Sequence, residues 1–279
     1  MGQDRVALIT GAAGGIGSCL VAAVLDDGQS VIAVDLSAEA LAALSRGAEA
    51  RGHADRLITL QSDLTRDDSV DAIVEAAGDR FGHVDILVNN AGINFSTFLA
   101  TRPKFWDATA EQWRISVALH TAAPMALTRA LVPAMIERTW GRVVNVTTSL
   151  GSMISAGSPV YGPSKAALEA YTSIVAKDLV GTGVTANILV PGGVTNTAMV
   201  GAAAPYARED MLQPDVMVPP FRWIISDEAT DMTDHRFVAA LWDTEIPGEQ
   251  AAAKAGALAA WGDLGGQPIR PSTPATGTR

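Results

Sequence analysis

The sequence predicts an α/β protein: a doubly wound parallel sheet in three layers, α/β/α, forming a single domain. Three observations carry this. Short β-branched runs alternate with longer Ala/Leu-rich stretches of helical period. The strand candidates are hydrophobic almost throughout, as strands covered on both faces by helices must be. A glycine-rich turn joins the first run to the first helical stretch. No linker interrupts the alternation, so residues 1–265 read as one unit with an extension from about 244, and the Pro/Thr/Gly-rich tail 266–279 is expected to be disordered.

In chain order, the hydrophobic runs predict six buried parallel strands at 6–9, 31–34, 57–60, 86–88, 143–146 and 184–190. Periodicity and capping place helices at 15–27, 37–50, 66–79, 111–138 and 160–180. Ser158 and Pro159 read as the N-cap and first residue of the last helix. Pro163 then falls in the first turn, where an N–H needs no partner.

Composition narrows the function. A formal net charge of −10, with Lys and Arg scattered, opposes binding to phosphate backbones, so no nucleic-acid partner is expected. Nearly half the residues are hydrophobic, yet no apolar run comes near the ~20 residues needed to span a bilayer, so no membrane association is expected. One cysteine excludes an internal disulfide, and the His and Cys spacing suggests no metal site. The apolar run 6–9 is too short for a signal sequence, which points to a cytoplasmic protein.

Tyr161 and Lys165 are four residues apart in a helical stretch, which sets phenol and ammonium side by side. Bringing a phenol from ~10 to near neutrality takes about 4 kcal/mol. A cation ~4 Å away at an effective dielectric of ~20 supplies about that much. The alternative is a surface pair worth a few tenths of a kcal/mol.

After the first strand come Thr10, Gly11, Ala12, Ala13, Gly14, Gly15, Ile16 and Gly17, leading into a helix. Glycines there let backbone and helix N-terminus approach a pyrophosphate, which marks Gly11, Gly15, Ile16 and Gly17 as binding candidates. Asp35, at the end of the second strand, is placed to accept hydrogen bonds from ribose hydroxyls. It would repel a 2′-phosphate, and no Arg or Lys stands in the turn or just after Asp35 to offset this, so NAD is favoured over NADP. The competing role for Asp35 is a helix N-cap.

Four motifs in order, Thr10-Gly11-x-x-x-Gly15-x-Gly17, Asn89-Asn90-Ala91-Gly92, Tyr161-x-x-x-Lys165 and Pro191-Gly192, resemble the short-chain dehydrogenase/reductase family over residues 5 to about 240. The resemblance implies a Rossmann fold and an NAD-dependent alcohol dehydrogenase or ketoreductase with Tyr161 as general acid/base. It implies that Lys165 lowers the Tyr161 pKa and binds the nicotinamide ribose. Asp63 and Leu64 would flank the adenine, Asn90, Ala91 and Gly92 would line the cofactor ribose, and Pro191, Gly192, Val194 and Thr197 would hold the carboxamide. It also implies a homotetramer in which the helices at 111–138 and 160–180 meet their copies.

Two site residues depart from the family pattern. The substrate-orienting hydroxyl, usually Ser, falls on Thr148, with Ser149 as the rival. The usual Asn of the long helix is replaced by His120, which could keep a relay through its backbone carbonyl, titrate near neutrality, or be hydrogen-bonded within the helix interface.

Beyond Thr233 the match weakens. The chain reads Thr233-Asp234 and continues through Phe237, Trp242 and Trp261, where the tryptophans could meet a second subunit, the substrate cleft or their own subunit. Substrate choice is expected in the segments after Gly92, Gly151 and Thr197. Phe95, Phe98, Met153, Ile154, Met199 and Tyr206, with Phe105 and Trp106 further off, suggest a small-molecule substrate that is hydrophobic or aromatic. A lyase or epimerase of the same fold and a non-catalytic dinucleotide-binding protein are the alternatives.

Overall fold

The computed structural model describes residues 4–95, 103–201 and 206–261. Its strands are β1 (Val6–Thr10), β2 (Ser30–Asp35), β3 (Leu57–Gln61), β4 (Ile86–Asn89), β5 (Gly141–Val146), β6 (Val184–Val190), β7 (His235–Val238) and β8 (Gly256–Leu258). They form one sheet in the order β3-β2-β1-β4-β5-β6-β7-β8, parallel except for the antiparallel β7–β8 pair. All six expected strands are present, and the expectation of six is corrected to eight. The added pair carries little signal, because β7 (His-Arg-Phe-Val) has only two apolar residues and β8 is Gly-Ala-Leu.

Successive residues of each strand point to opposite faces, which divides the core in two. Ala7, Ile9, Val31, Ala33, Ile86 and Val88 belong to one apolar layer, and Val6, Leu8, Ile32, Val34 and Leu87 to the other. Burial of each Leu or Ile contributes roughly 1.5–3 kcal/mol, so a helix is held on either face.

The helices are α1 (Gly15–Asp26), α2 (Ala38–Ala50), α3 (Ser69–Phe81), α4 (Ala110–Val117), α5 (Ala123–Glu137), α6 (Leu150–Met153), α7 (Tyr161–Asp178), α8 (Val218–Ile224) and α9 (Gly248–Ala255). Local chemistry sets several of their ends. Ser37 caps α2 by accepting from Ala40 N–H, Thr109 and Gln112 form a reciprocal capping box on α4, and Gly82 closes α3 at φ +78°. The α7 start differs from expectation. Val160 holds the N-cap position without a side-chain bond, and Ser158 instead closes a turn with its N–H on the Ser155 carbonyl (3.2 Å). Pro163 is still the third helical residue.

The expected helix at 111–138 is α4 and α5 joined by a π turn, Ala118–Ala122. The expectation that no apolar stretch nears a bilayer's span is corrected: the segment Ala110–Glu137 is long and apolar enough, by length and composition, to cross a membrane, its apolar residues being interspersed with polar ones. Half of its most apolar window is buried, where Leu127, Leu131 and Met135 join the core. The expected tail 266–279 lies outside the described residues. Trp242 packs locally, its ring 5.6 Å from Trp223 and 6.4 Å from Phe237.

Candidate functional site

In this strand order the chain leaves β1 toward one side and β4 toward the other, opening a crevice at their carboxyl ends. A cavity of about 1030 Å³ occupies it. That is the upper end of the range for small-molecule sites, with room for a dinucleotide and a small substrate.

The glycine turn forms one wall. Gly11 adopts φ +60°, a conformation open to glycine, and a Cβ on Gly17 would stand 2.0 Å from the Gly11 carbonyl oxygen. Gly17 therefore packs beneath the turn and, unlike Gly11, Gly15 and Ile16, does not line the cavity. Thr10 and Asn90 tie the turn to β4. Thr10 Oγ1 accepts from the N–H groups of Asn90 and Ala91, while Asn90 Nδ2 donates to the carbonyls of Thr10 and Gly11. Asp35 Oδ2 accepts from Ala13 N–H (3.0 Å) and Oδ1 from Ser37 N–H (3.1 Å). Asp35 is thus not the cap of α2, which is Ser37. Asp63 receives both the N–H and the hydroxyl of Thr65, which hold its carboxyl below the usual carboxylate range. Asp63, Leu64, Asn90, Ala91, Gly92, Pro191, Gly192, Val194 and Thr197 all line the same cavity. Glycine at the closest approaches and backbone N–H groups at the start of α1 fit a dinucleotide diphosphate.

Across the crevice stand Tyr161, Lys165 and Thr148. The Thr148 side chain lies beside Tyr161, near enough to pull the phenol's pKa down. Ser149 turns its hydroxyl into the cap of α6, accepting from Ser152 N–H (3.3 Å) and lying 2.8 Å from Ser152 Oγ. The strand ends at Val146, so Thr148 and Ser149 are free of its alternation and both border the cavity. Lys165 is buried, its Nζ donating to the Val146 carbonyl at 2.8 Å. Burial alone pushes its pKa down to about 7.

The expectation that Lys165 lowers the Tyr161 pKa needs correcting. Burial pushes the phenol up to about 12, against an opposing pull from Thr148. The ammonium lies 6.0 Å from the ring centroid and donates to the Val146 carbonyl.

His120 is brought under the site by the π turn, a device frequent at functional sites. Its Nε2 accepts from Ile93 N–H (3.0 Å), so the neutral ring carries its proton on Nδ1, which faces Ser116 Oγ at 3.1 Å. Ser116 Oγ in turn donates to the Val160 carbonyl, just before Tyr161. Burial, then Lys165, keeps the imidazole pKa well below its ordinary value. Of the three alternatives for His120, the hydrogen-bonded one fits and titration near neutrality does not: His120 is a neutral brace from the segment after β4 to the start of α7, with its ring edge-on to Tyr161 at 5.2 Å.

The membership of the apolar substrate wall is corrected in part. Of the residues expected there, Met199 lines the cavity, Met153 is buried beneath it, and Ile154 and Tyr206 face outward. Phe95, Phe105 and Trp106 do not line it, and Phe98 lies outside the described residues. Beside apolar Ile93, Ile115, Leu119 and Val200, the cap of α6, α6 itself and the turn after it present Ser149, Ser152, Ser155 and Ser158, small hydroxyl residues without a periodic signal. Arg208, in the segment after Thr197, donates to the carbonyls of Thr197 and Val200 and so holds that segment's own backbone.

Comparison with known proteins agrees with this geometry. The family model for short chain dehydrogenases matches residues 5–206. A 3-oxoacyl-[acyl-carrier-protein] reductase of Synechocystis sp. is 31% identical over 232 residues, covering 81% of this chain and 90% of its own. Nodulation protein G of Azospirillum brasilense is 35% identical over 212 residues, covering 76% and 81%. A solved structure from Beutenbergia cavernae, proposed as an NAD(P)-dependent gluconate 5-dehydrogenase and holding NADP at low occupancy, superposes with a TM-score of 0.73 at 25% identity, covering 82% and 92%. Sheet order, crevice and sequence relationship converge, and the chain belongs to the short-chain dehydrogenase family.

Proposed function

We propose that this oxidoreductase moves hydride between NAD and a ketone or secondary alcohol, with carbonyl reduction as the favoured direction. The observation that carries this is the pair of Tyr161 and Thr148, side by side on the wall of a dinucleotide-sized crevice. The bound dinucleotide supplies the hydride acceptor or donor and, when oxidised, a positive charge on its ring. A phenol pushed up to about 12 is protonated at neutral pH, the form that donates a proton to a carbonyl oxygen. Thr148 offers that oxygen a second hydrogen bond as negative charge develops on it. The relative that reduces 3-oxoacyl groups, by its name, supports the same direction.

Asp35 supports NAD. Among the described residues lining the cavity Lys165 is the only cation, so a 2′-phosphate beside Asp35 would meet a carboxylate with no neutralising partner. The NADP in the Beutenbergia structure supports the second reading, in which NADP also serves. The NAD-dependent enzyme proposed here is also expected to be a homotetramer and cytoplasmic.

The test is a panel of small ketones and secondary alcohols with NADH, NADPH and their oxidised forms, followed at the reduced-nicotinamide absorbance. Net oxidation or reduction supports the proposal. Product without net redox change would instead indicate a lyase or epimerase, and binding without product a non-catalytic protein. In the same assay Asp35→Ala is expected to weaken NADH about 10- to 100-fold, the worth of hydrogen bonds to a charged group, and NADPH much less. Equal losses for both would remove Asp35 as the source of preference. Thr148→Ala is expected to lower kcat about 10²–10³-fold, the scale for losing one donor to a developing oxyanion. Ser149→Ala should stay within a few fold, and the reverse order would exchange their roles.

A further inference from the structure

The end of β5 leaves two carbonyls two residues apart at the edge of the crevice, that of Val146, its last ladder residue, and that of Thr148. Lys165 takes the first, its Nζ donating to the Val146 oxygen at 2.8 Å. The second is taken by a residue that no motif singles out. Arg236, on β7, donates from Nη2 to the Thr148 carbonyl at 2.5 Å and from Nε to Glu169 Oε1 at 2.6 Å. Glu169 is fully buried on α7, eight residues beyond Tyr161 and four beyond Lys165, so all three share one helix face. Its second oxygen, Oε2, is buried with no hydrogen-bond partner.

A buried carboxylate–guanidinium pair is costly to desolvate and is often no more stable than apolar residues of the same volume. Here its forked geometry ties three elements together at one point: the end of β5, the catalytic helix and β7. The carbonyl it holds belongs to Thr148, whose side chain lies beside Tyr161 on the cavity wall.

We propose that Arg236 is a positioning residue: oriented by Glu169, it fixes the Thr148 peptide and thereby the aim of the Thr148 hydroxyl at Tyr161. This rests on the hydride-transfer reading above for its kinetic consequence, though not for its structural one. It assigns a role to the most irregular part of the sequence match, since β7 follows the Thr233-Asp234 departure.

Arg236→Lys keeps the charge but cannot form both bonds of the fork, and Glu169→Gln keeps the shape but not the counter-charge. Each is expected to lower kcat about tenfold while NADH affinity stays within twofold. In a Thr148→Ala background the same substitutions should cost less than twofold, because the hydroxyl they position is gone. A purely structural role would give equal losses in both backgrounds, and that result would overturn the proposal. So would an unchanged kcat in the wild-type background, or a failure of both variants to fold with NADH present, which would make the pair a stability element. Hydrogen exchange in peptides covering 147–150 supplies a readout independent of turnover. It should quicken at least tenfold in Arg236→Lys, and unchanged exchange would overturn the proposal whether or not any carbonyl in the panel is reduced.

Discussion

Tyr161→Phe is expected to lower the kcat of carbonyl reduction by 10²–10⁴-fold, the range for losing a positioned general acid, while NADH affinity stays within about twofold. The substitution removes one oxygen and leaves the ring, so the edge-on contact with His120 at 5.2 Å is kept and the start of α7 is not disturbed. A loss in kcat without a loss in dinucleotide binding is the signature of a group that acts only in the chemical step. Direction matters as well. With the phenol pushed up to about 12, the donating form persists through neutral and mildly alkaline pH, so reduction should be nearly flat there in its dependence on Tyr161. Alcohol oxidation needs the phenolate and should rise steadily with pH over the same interval. Stopped-flow absorbance and fluorescence titration of NADH would measure both quantities. Retention of more than a tenth of wild-type kcat by the Phe variant would remove Tyr161 from the proton path.

The parts of this fold that recur periodically or obey a local chemical rule were legible in the sequence. Strands β1 to β6 are continuous apolar runs because helices cover both their faces, and that pattern needs no tertiary knowledge to detect. The glycine turn was legible because backbone geometry at Gly11 and the approach of Gly17 to the Gly11 carbonyl admit little else. What stayed hidden depends on contacts distant in the chain. Arg236 meets Thr148 and Glu169 across 88 and 67 residues, and the strand carrying it is too short and too polar to register. The substrate wall was misjudged for a related reason. Apolarity in a loop does not say which way a side chain turns, and in α6 Met153 goes inward, Ile154 outward, and the serines face the crevice. Electrostatics was the least legible. Side-by-side placement of Tyr161 and Lys165 suggested a phenol lowered by a cation, whereas burial dominates both groups and moves the phenol up and the ammonium down.

That burial makes Lys165 expensive for the fold, and Lys165→Met is expected to gain stability as it loses function. Unfolded, the ammonium persists to its ordinary 10.5; folded, it begins to lose its proton near 7. Between about 7 and 10.5 the unfolded chain therefore binds more protons, so this group makes stability rise with pH across that window. Below 7 both states are protonated and the full penalty applies; above 10.5 both are neutral and it vanishes. A lowering of about 3.5, at roughly 1.4 kcal/mol per pH unit, sets the penalty near 5 kcal/mol. Methionine fills similar volume without charge but leaves the Val146 carbonyl unpaired, which returns about 1–3 kcal/mol of the gain. A net rise of a few kcal/mol at pH 6–7 should lift Tm by about 5 °C or more, and the advantage over wild type should shrink toward pH 10. Reduction should meanwhile fall by more than 100-fold, since the variant loses the amine that would hold the nicotinamide ribose in the crevice. Thermal unfolding of both proteins at pH 6.5 and pH 9.5 decides the matter. A Met variant less stable than wild type at both would mean that Lys165 is held charged and well solvated, and that the fold does not bear the cost assigned to it here.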